Sequence, residues 1–159
     1  MLRTLLILAI SLFPAMASAQ GFQVGFGNMQ QDSGLPVEVT ADSLSVNQND
    51  GSAVFSGNVK IVQGEMHMTA NKVNVHYSSA GTVGIARLIA EGDVLLVQGK
   101  DIAEAEKAEY SIEDGSVRMS GNVMVLQENT SITADEMTVD LNSNTAEMHG
   151  RVKTILRNQ

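Results

Sequence analysis

The stretch Ala53-Val54-Phe55-Ser56-Gly57-Asn58-Val59-Lys60-Ile61-Val62-Gln63-Gly64 decides the fold. Its apolar residues take every second position (Ala53, Phe55, Val59, Ile61, with Gly57 between), the period of a β-strand with one buried face. The pattern returns as Leu88, Ala90, Gly92, Val94, Leu96, then as Val117, Met119, Gly121, Val123, Val125, and finally as Ala146, Met148, Gly150, Val152. Between these runs stands a second signal, an Ala followed by an acid or amide, at Ala41-Asp42, Ala70-Asn71, Ala105-Glu106 and Ala134-Asp135. Each Gly is 13 residues from the next Ala, and each Ala is 16, 22, 16 or 16 residues from its own Gly. The unit is therefore 29 residues in four copies, with six residues inserted in the second copy around 78–87.

Around the Ala signal the apolar positions change parity: Val39, Ala41, Leu44, Val46; Met68, Ala70, Val73, Val75; Ala103, Ala105, Ala108, Tyr110; Ile132, Ala134, Met137, Val139. One extra residue, a β-bulge, accounts for the step, and the acid beside it can accept a bulge N–H. Turn residues such as Asn49-Asp50-Gly51, Ser79-Ala80-Gly81 and Glu113-Asp114-Gly115 separate eight strands of 11–13 residues. Straight, each would run roughly 40 Å, twice the usual length, so each is expected to bend at its bulge or inward Gly. The fold expected is all-β: an antiparallel β-jelly-roll, or bent sandwich, of about 16 short strands, open at both ends. A parallel β-solenoid is the competing architecture.

The chain has 159 residues, 10 Lys and Arg against 18 Asp and Glu, and no Cys. One domain with a core fits that length. The acidic balance argues against nucleic acid, and the missing Cys excludes disulfides, thiolate metal sites and Cys nucleophiles. Residues 1–19 read as a cleavable signal peptide: Arg3, an apolar run from Leu5 to Phe13, and Ala17-Ser18-Ala19 before Gln20. A stretch of nine residues is too short for a membrane span of about 20. Losing Arg3 takes the charge from −8 to −9, and no Cys follows the cleavage site to carry a lipoprotein acyl group. Residues 20–36 read as a flexible N-terminal lead, within which the alternation Phe22, Val24, Phe26 admits a strand formed on a partner. The domain itself is expected over 37–157.

Catalysis finds little to work with. His67, His76 and His149 each lie between inward positions, in different strands, with no Ser or carboxylate at matching offsets. Asn47-x-Asn49-Asp50-Gly51 has the look of a calcium loop but lacks the bidentate Glu, and a hairpin turn explains it better. No phosphate loop is present. A sugar platform would need more aromatics than Tyr77 and Tyr110. No cofactor, no metal and no catalytic residue is assigned. Met68, Met119, Met137 and Met148 instead enrich the inward set with adaptable side chains, suited either to filling gaps or to receiving hydrocarbon.

The elements F-x-G-x-V-x-I-x-Q-G (Phe55 to Gly64) and M-x-A-N-x-V (Met68 to Val73), with Pro36 to Leu44 before them, resemble the LptA/OstA-like family. The likeness covers about residues 36–157. It implies a V-shaped β-jelly-roll whose modules join end to end and carry the acyl chains of lipopolysaccharide (lipid A) across the periplasm. The implied partners are an inner-membrane LptC-like protein, the N-terminal domain of an outer-membrane LptD-like protein, and further copies of the chain. The expected lipid-facing residues are Val39, Phe55, Val59, Ile61, Met68, Val75, Leu96, Met119, Val123, Ile132, Met137 and Met148. The expected pairing edges are the first and last strands, marked by Val37, Val39, Val46, Met148, Val152 and Ile155. The rival readings are a structural periplasmic or surface β-repeat protein that binds no lipid and, more remotely, a hydrolase dependent on the scattered His.

Overall fold

The computed structural model describes residues 22–24, 35–78, 84–143 and 145–157. The expected signal segment, most of the lead and the turn at Ser79-Ala80-Gly81 lie outside them. The described strands are β1 (Phe22–Val24), β2 (Glu38–Thr40), β3 (Ser43–Asn47), β4 (Ser52–Gln63), β5 (Met66–Tyr77), β6 (Ile85–Gln98), β7 (Asp101–Ser111), β8 (Ser116–Gln127), β9 (Thr130–Asp140), β10 (Thr145–His149) and β11 (Lys153–Leu156). They form one sheet in the order β1-β10-β9-β8-β7-β6-β5-β4-β2, with β3 also on β4 and β11 also on β9. Every pairing is antiparallel, which excludes the parallel solenoid. Among the described residues there are eleven strands and not the expected sixteen, because β4 to β9 run unbroken through their bends and only the outermost two split, into β2/β3 and β10/β11, with β1 added from the lead.

The bends have a common cause. Gly57 and Asn58 both adopt left-handed backbone, φ 79° and 46°. Together they oppose the single residue Asn71, since Ser56 pairs with Lys72 and Val59 with Ala70. Gly92-Asp93 oppose Glu106 and Gly121-Asn122 oppose Asp135 in the same manner. The parity step falls at the Ala signals, but the extra residue sits on the glycine-bearing strand and the acid is the single residue facing it. Two consecutive left-handed residues are costly except where the first is Gly and the second short and polar, which fits three of the four pairs. The fourth is Gly150-Arg151, at the break between β10 and β11.

Side chains tie each corner. The Asn58 amide donates to Asp42 at 2.7 Å, Asn71 donates to Asp93 at 3.0 Å and Asn122 donates to Glu106 at 2.6 Å. Arg151 grips Asp135 through Nε and a second guanidinium nitrogen. Backbone bonds from Asp42 N to the Gly57 carbonyl and from Asp135 N to the Gly150 carbonyl, both 2.9 Å, close the outer two corners.

A single sheet cannot bury a face unless something covers it, and no helix is present among the described residues. The cover is the other half of the same sheet. Tyr110, beside Leu88 and Val117 on one side of the corner line, donates to Gln63 Oε1 at 3.0 Å, and Gln63 lies beyond that line at the far end of β4. One apolar cluster spans both leaves and includes Val73, Leu88, Leu96, Met119, Val125, Ile132, Met137 and Val139, all at most 1% exposed. That is interior packing, where side chains interdigitate with little void.

Candidate functional site: the inner face and its two ends

Ten of the twelve lipid-facing candidates are core residues. Val59, Ile61, Met68, Val75, Leu96, Met119, Val123, Ile132, Met137 and Met148 are 0–2% exposed, while Val39 and Phe55 are only partly buried. They therefore line the inside of the folded sheet, as their alternation predicts, but in this structure they pack on one another. The inner positions reach solvent at the ends. Leu44 and Val46 on β3 are 55% and 60% exposed, although they pair with Phe55 and Ala53 on the inner face. At the opposite end Val152 is 41% exposed, and Leu156, two positions beyond the inward Thr154 that pairs with Ile132, is 71% exposed. The sequence pattern gives Leu44, Val46 and Val152 the same standing as buried residues, and only their place in the first and last strands distinguishes them.

The edge candidates divide. Val46, Val152 and Ile155 are exposed, Val37 lies just before β2, and no described strand pairs with the outer side of β2 and β3. Met148 does not mark an open edge. Its strand β10 is paired on one side with β9 and on the other with β1, which places Phe22, Gln23 and Val24 opposite Met148, Glu147 and Ala146. At this end of the sheet, β11 has no described strand on the side away from β9.

The polar surface is structural. In the 47–52 turn Asn49 N–H donates to Asn47 Oδ1 at 3.0 Å, and the Asp50 carboxylate accepts the Ser52 backbone N–H at 2.9 Å and the Ser52 hydroxyl at 2.6 Å, which is hairpin chemistry and not a calcium loop. Among the described residues no group of three or more His, Cys, Asp or Glu is placed to hold a metal ion. His76 and His149 are exposed and His67 is half-buried, in separate places on the sheet.

Three carboxyls are held below the ordinary value near 3.8: the exposed Asp140 by the Ser143 and Asn142 backbone N–H groups, the exposed Asp50 by the Ser52 hydroxyl and N–H, and the partly exposed Asp135 by Arg151. A carboxyl depressed in the folded state stabilises it above the unfolded value, and that stability is lost as pH falls through the folded value. The protein should therefore weaken progressively below about pH 4. Asp140→Asn should shrink the difference between urea midpoints at pH 7 and pH 3, by lowering the midpoint at pH 7 more than the midpoint at pH 3.

An all-β antiparallel sheet folded along a line of corners, packed on itself in the middle and with exposed apolar residues in its first and last strands, defines a β-jelly-roll. Residues 38–145 match the family described as LptA/(LptD N-terminal domain) LPS transport protein, and the chain belongs to that family. It is accordingly a transport protein and not an enzyme. An uncharacterised protein of Rhizobium meliloti (strain 1021) is 26% identical over 131 residues, 79% of this chain and 70% of the relative. Among solved structures, the crystal structure of LptH, the LptA-homologous periplasmic component of the lipopolysaccharide transport device of Pseudomonas aeruginosa, superposes with a TM-score of 0.71. It is 19% identical, and the match covers 80% of this chain and 99% of that one.

Proposed function

We propose that the chain is a periplasmic bridge module that shelters the acyl chains of lipopolysaccharide between the two leaves of its sheet and joins further modules end to end. The observation that carries this is the contrast along one face, buried in the middle and exposed at Leu44, Val46, Val152 and Leu156. A second copy is the occupant that fits those ends. Residues 37–50 contain Glu38, Asp42 and Asp50 with no Lys or Arg, whereas 151–157 contain Arg151, Lys153 and Arg157 with no acid. Opposite charges on the first and last strands favour head-to-tail joining. By the same edge-strand logic the inner-membrane LptC-like protein and the N-terminal domain of an LptD-like protein terminate the row. Export through a signal peptide cleaved before Gln20, a lead over 20–36 and a domain over 37–157 complete the reading.

Each CH₂ withdrawn from water contributes ~0.8 kcal/mol, so a twelve-carbon chain gains about 9–10 kcal/mol. That gain offsets the loss of contacts when Phe55, Ile61 and Met119 part to admit it. The acidic surface requires the lipid phosphates to stay in water outside the leaves. The structural reading, a β-repeat that binds no lipid, draws on one observation of its own, the closely packed interior.

Displacement of a fluorescent fatty-acid probe by lipopolysaccharide separates the two. Lipid carriage predicts displacement, together with photo-crosslinking of lipopolysaccharide from a probe at Phe55. It also predicts that Leu44→Asp, at an exposed site, weakens probe binding by tenfold or more while the melting temperature moves by no more than about 2 °C. Absence of displacement and of crosslinks would leave only the structural reading.

A further inference from the structure

Each glycine-bearing strand receives its next neighbour in the same register. Beside β4, Val75 and Val73 stand opposite Ala53 and Phe55, and beyond the corner Ala70 and Met68 stand opposite Val59 and Ile61. Beside β6 the same places go to Tyr110, Ala108, Ala105 and Ala103, and beside β8 to Val139, Met137, Ala134 and Ile132. The last glycine-bearing strand is β10–β11. By the same rule an incoming strand sets two apolar residues, two positions apart, opposite Ala146 and Met148. In this chain β1 fills both places, Val24 opposite Ala146 and Phe22 opposite Met148, antiparallel. The rule gives those places to Val46 and Leu44 of β3 in another copy. Phe22-Gln23-Val24 thus has the spacing, direction and register of Leu44-Ser45-Val46.

The imitation is incomplete in two respects. With three residues β1 covers β10 alone, whereas β2 and β3 together provide eight and reach both sides of the corner. Applied beyond the corner, the rule puts Ala41 and Val39 opposite Val152 and Thr154, and β11 has no described strand on that side. Residues 20–31 also carry no charge, so they lack the acids that Glu38 and Asp42 would bring towards Lys153 and Arg157. Pairing within one molecule is within reach. A chain of thirteen residues, the number between β1 and β2, spans at most roughly 45 Å, against roughly 38 Å for eight strand spacings from β1 to β2.

We propose that β1 is a built-in, displaceable cover for the outgoing edge. A lone copy keeps β10 paired with its own β1, and a second copy lands its β2 on the open β11 and then exchanges its β3 for β1. The edge that an unaccompanied module would present to any passing strand is thereby shielded until a strand of full length arrives. The inference rests on the end-to-end reading above and specifies its control.

The test compares the chain from Gln20 with the double variant Phe22→Ser/Val24→Pro and with a variant lacking 20–26. Two measurements are used: amide hydrogen exchange along Thr145–His149 in dilute protein, and sedimentation velocity over a concentration series. Leu44→Glu/Val46→Glu serves as the variant that blocks incoming strands. The cover predicts slow exchange in the unaltered chain at those β10 amides that do not bond β9, fast exchange in both β1 variants, and self-association of the variants at a concentration at least tenfold lower. Equal exchange in all three overturns the cover. Association that Leu44→Glu/Val46→Glu abolishes would, in that case, leave the assembly reading standing. Weaker association after loss of β1 overturns the cover too, since β1 would then be joining copies. Exchange as expected with no association in any chain overturns both readings together.

Discussion

Met119→Ala is expected to lower the unfolding free energy by about 3 kcal/mol, within the roughly 2–5 kcal/mol typical of emptying a packed Met, Leu or Ile site. Met119 is fully buried and stands between Ala108 on β7 and Met137 on β9. The small side chains of Ala108 and of Ala90 beyond it limit how far the surroundings can collapse into the gap. The size of the loss decides the state of the interior before any ligand arrives. A trough held open and wet would forfeit little when one methionine is shortened, and a loss below about 1 kcal/mol would show that arrangement. A loss near 3 kcal/mol shows leaves closed on each other, which a lipid must separate by replacing Met–Met contacts with acyl contacts. Urea unfolding of both proteins at pH 7, compared at equal slope, gives the number.

The second large effect is expected at the corners. Gly121→Ala should cost roughly 3 kcal/mol, because it combines left-handed backbone with a collision. At φ 83° a Cβ would lie 2.8 Å from Glu106 Cβ and 2.7 Å from its Oε2. Glu106 cannot simply swing aside without losing the Asn122 amide it accepts. Gly51→Ala is the matched comparison, with φ 68° but nothing within 4 Å of the added carbon, and should cost only about 1 kcal/mol. Thermal melts of the two variants should separate by several degrees. Equal shifts would mean that the conformation, and not the close approach of Glu106, is what requires glycine at the corner.

The inner face was readable from residue type alone, since period-two runs such as Val117, Met119, Val123, Val125 put one face together whatever lies over it. The corners were readable as a step in parity, but their locking was not foreseen on the correct strand. The signal was present in Gly57-Asn58, Gly92-Asp93 and Gly121-Asn122, pairs suited to left-handed backbone, yet the acid drew the bulge to its own side. Burial at the ends was not legible. Leu44 and Met137 occupy equivalent places in their repeats, and one is exposed while the other is sealed because only one has a strand on both sides. Nor could Met148 be told from a free edge, since its covering strand comes from the other end of the chain and three alternating residues carry too little pattern to announce a pairing. Residue type also leaves undecided whether Met68 and Met119 serve as filling or as lining. Hydrocarbon looks alike to a neighbouring side chain and to a lipid tail, so both roles select the same residues.

The corner bonds join Asp with Asn, Asn with Asp, Glu with Asn, and Asp with Arg. What persists is a hydrogen-bonded couplet of one giver and one taker, sixteen or twenty-two positions apart, while the letters trade places freely. Shape in such a protein outlives spelling, and its remote kin are better sought by scanning for spaced complementary couplets than by aligning identities.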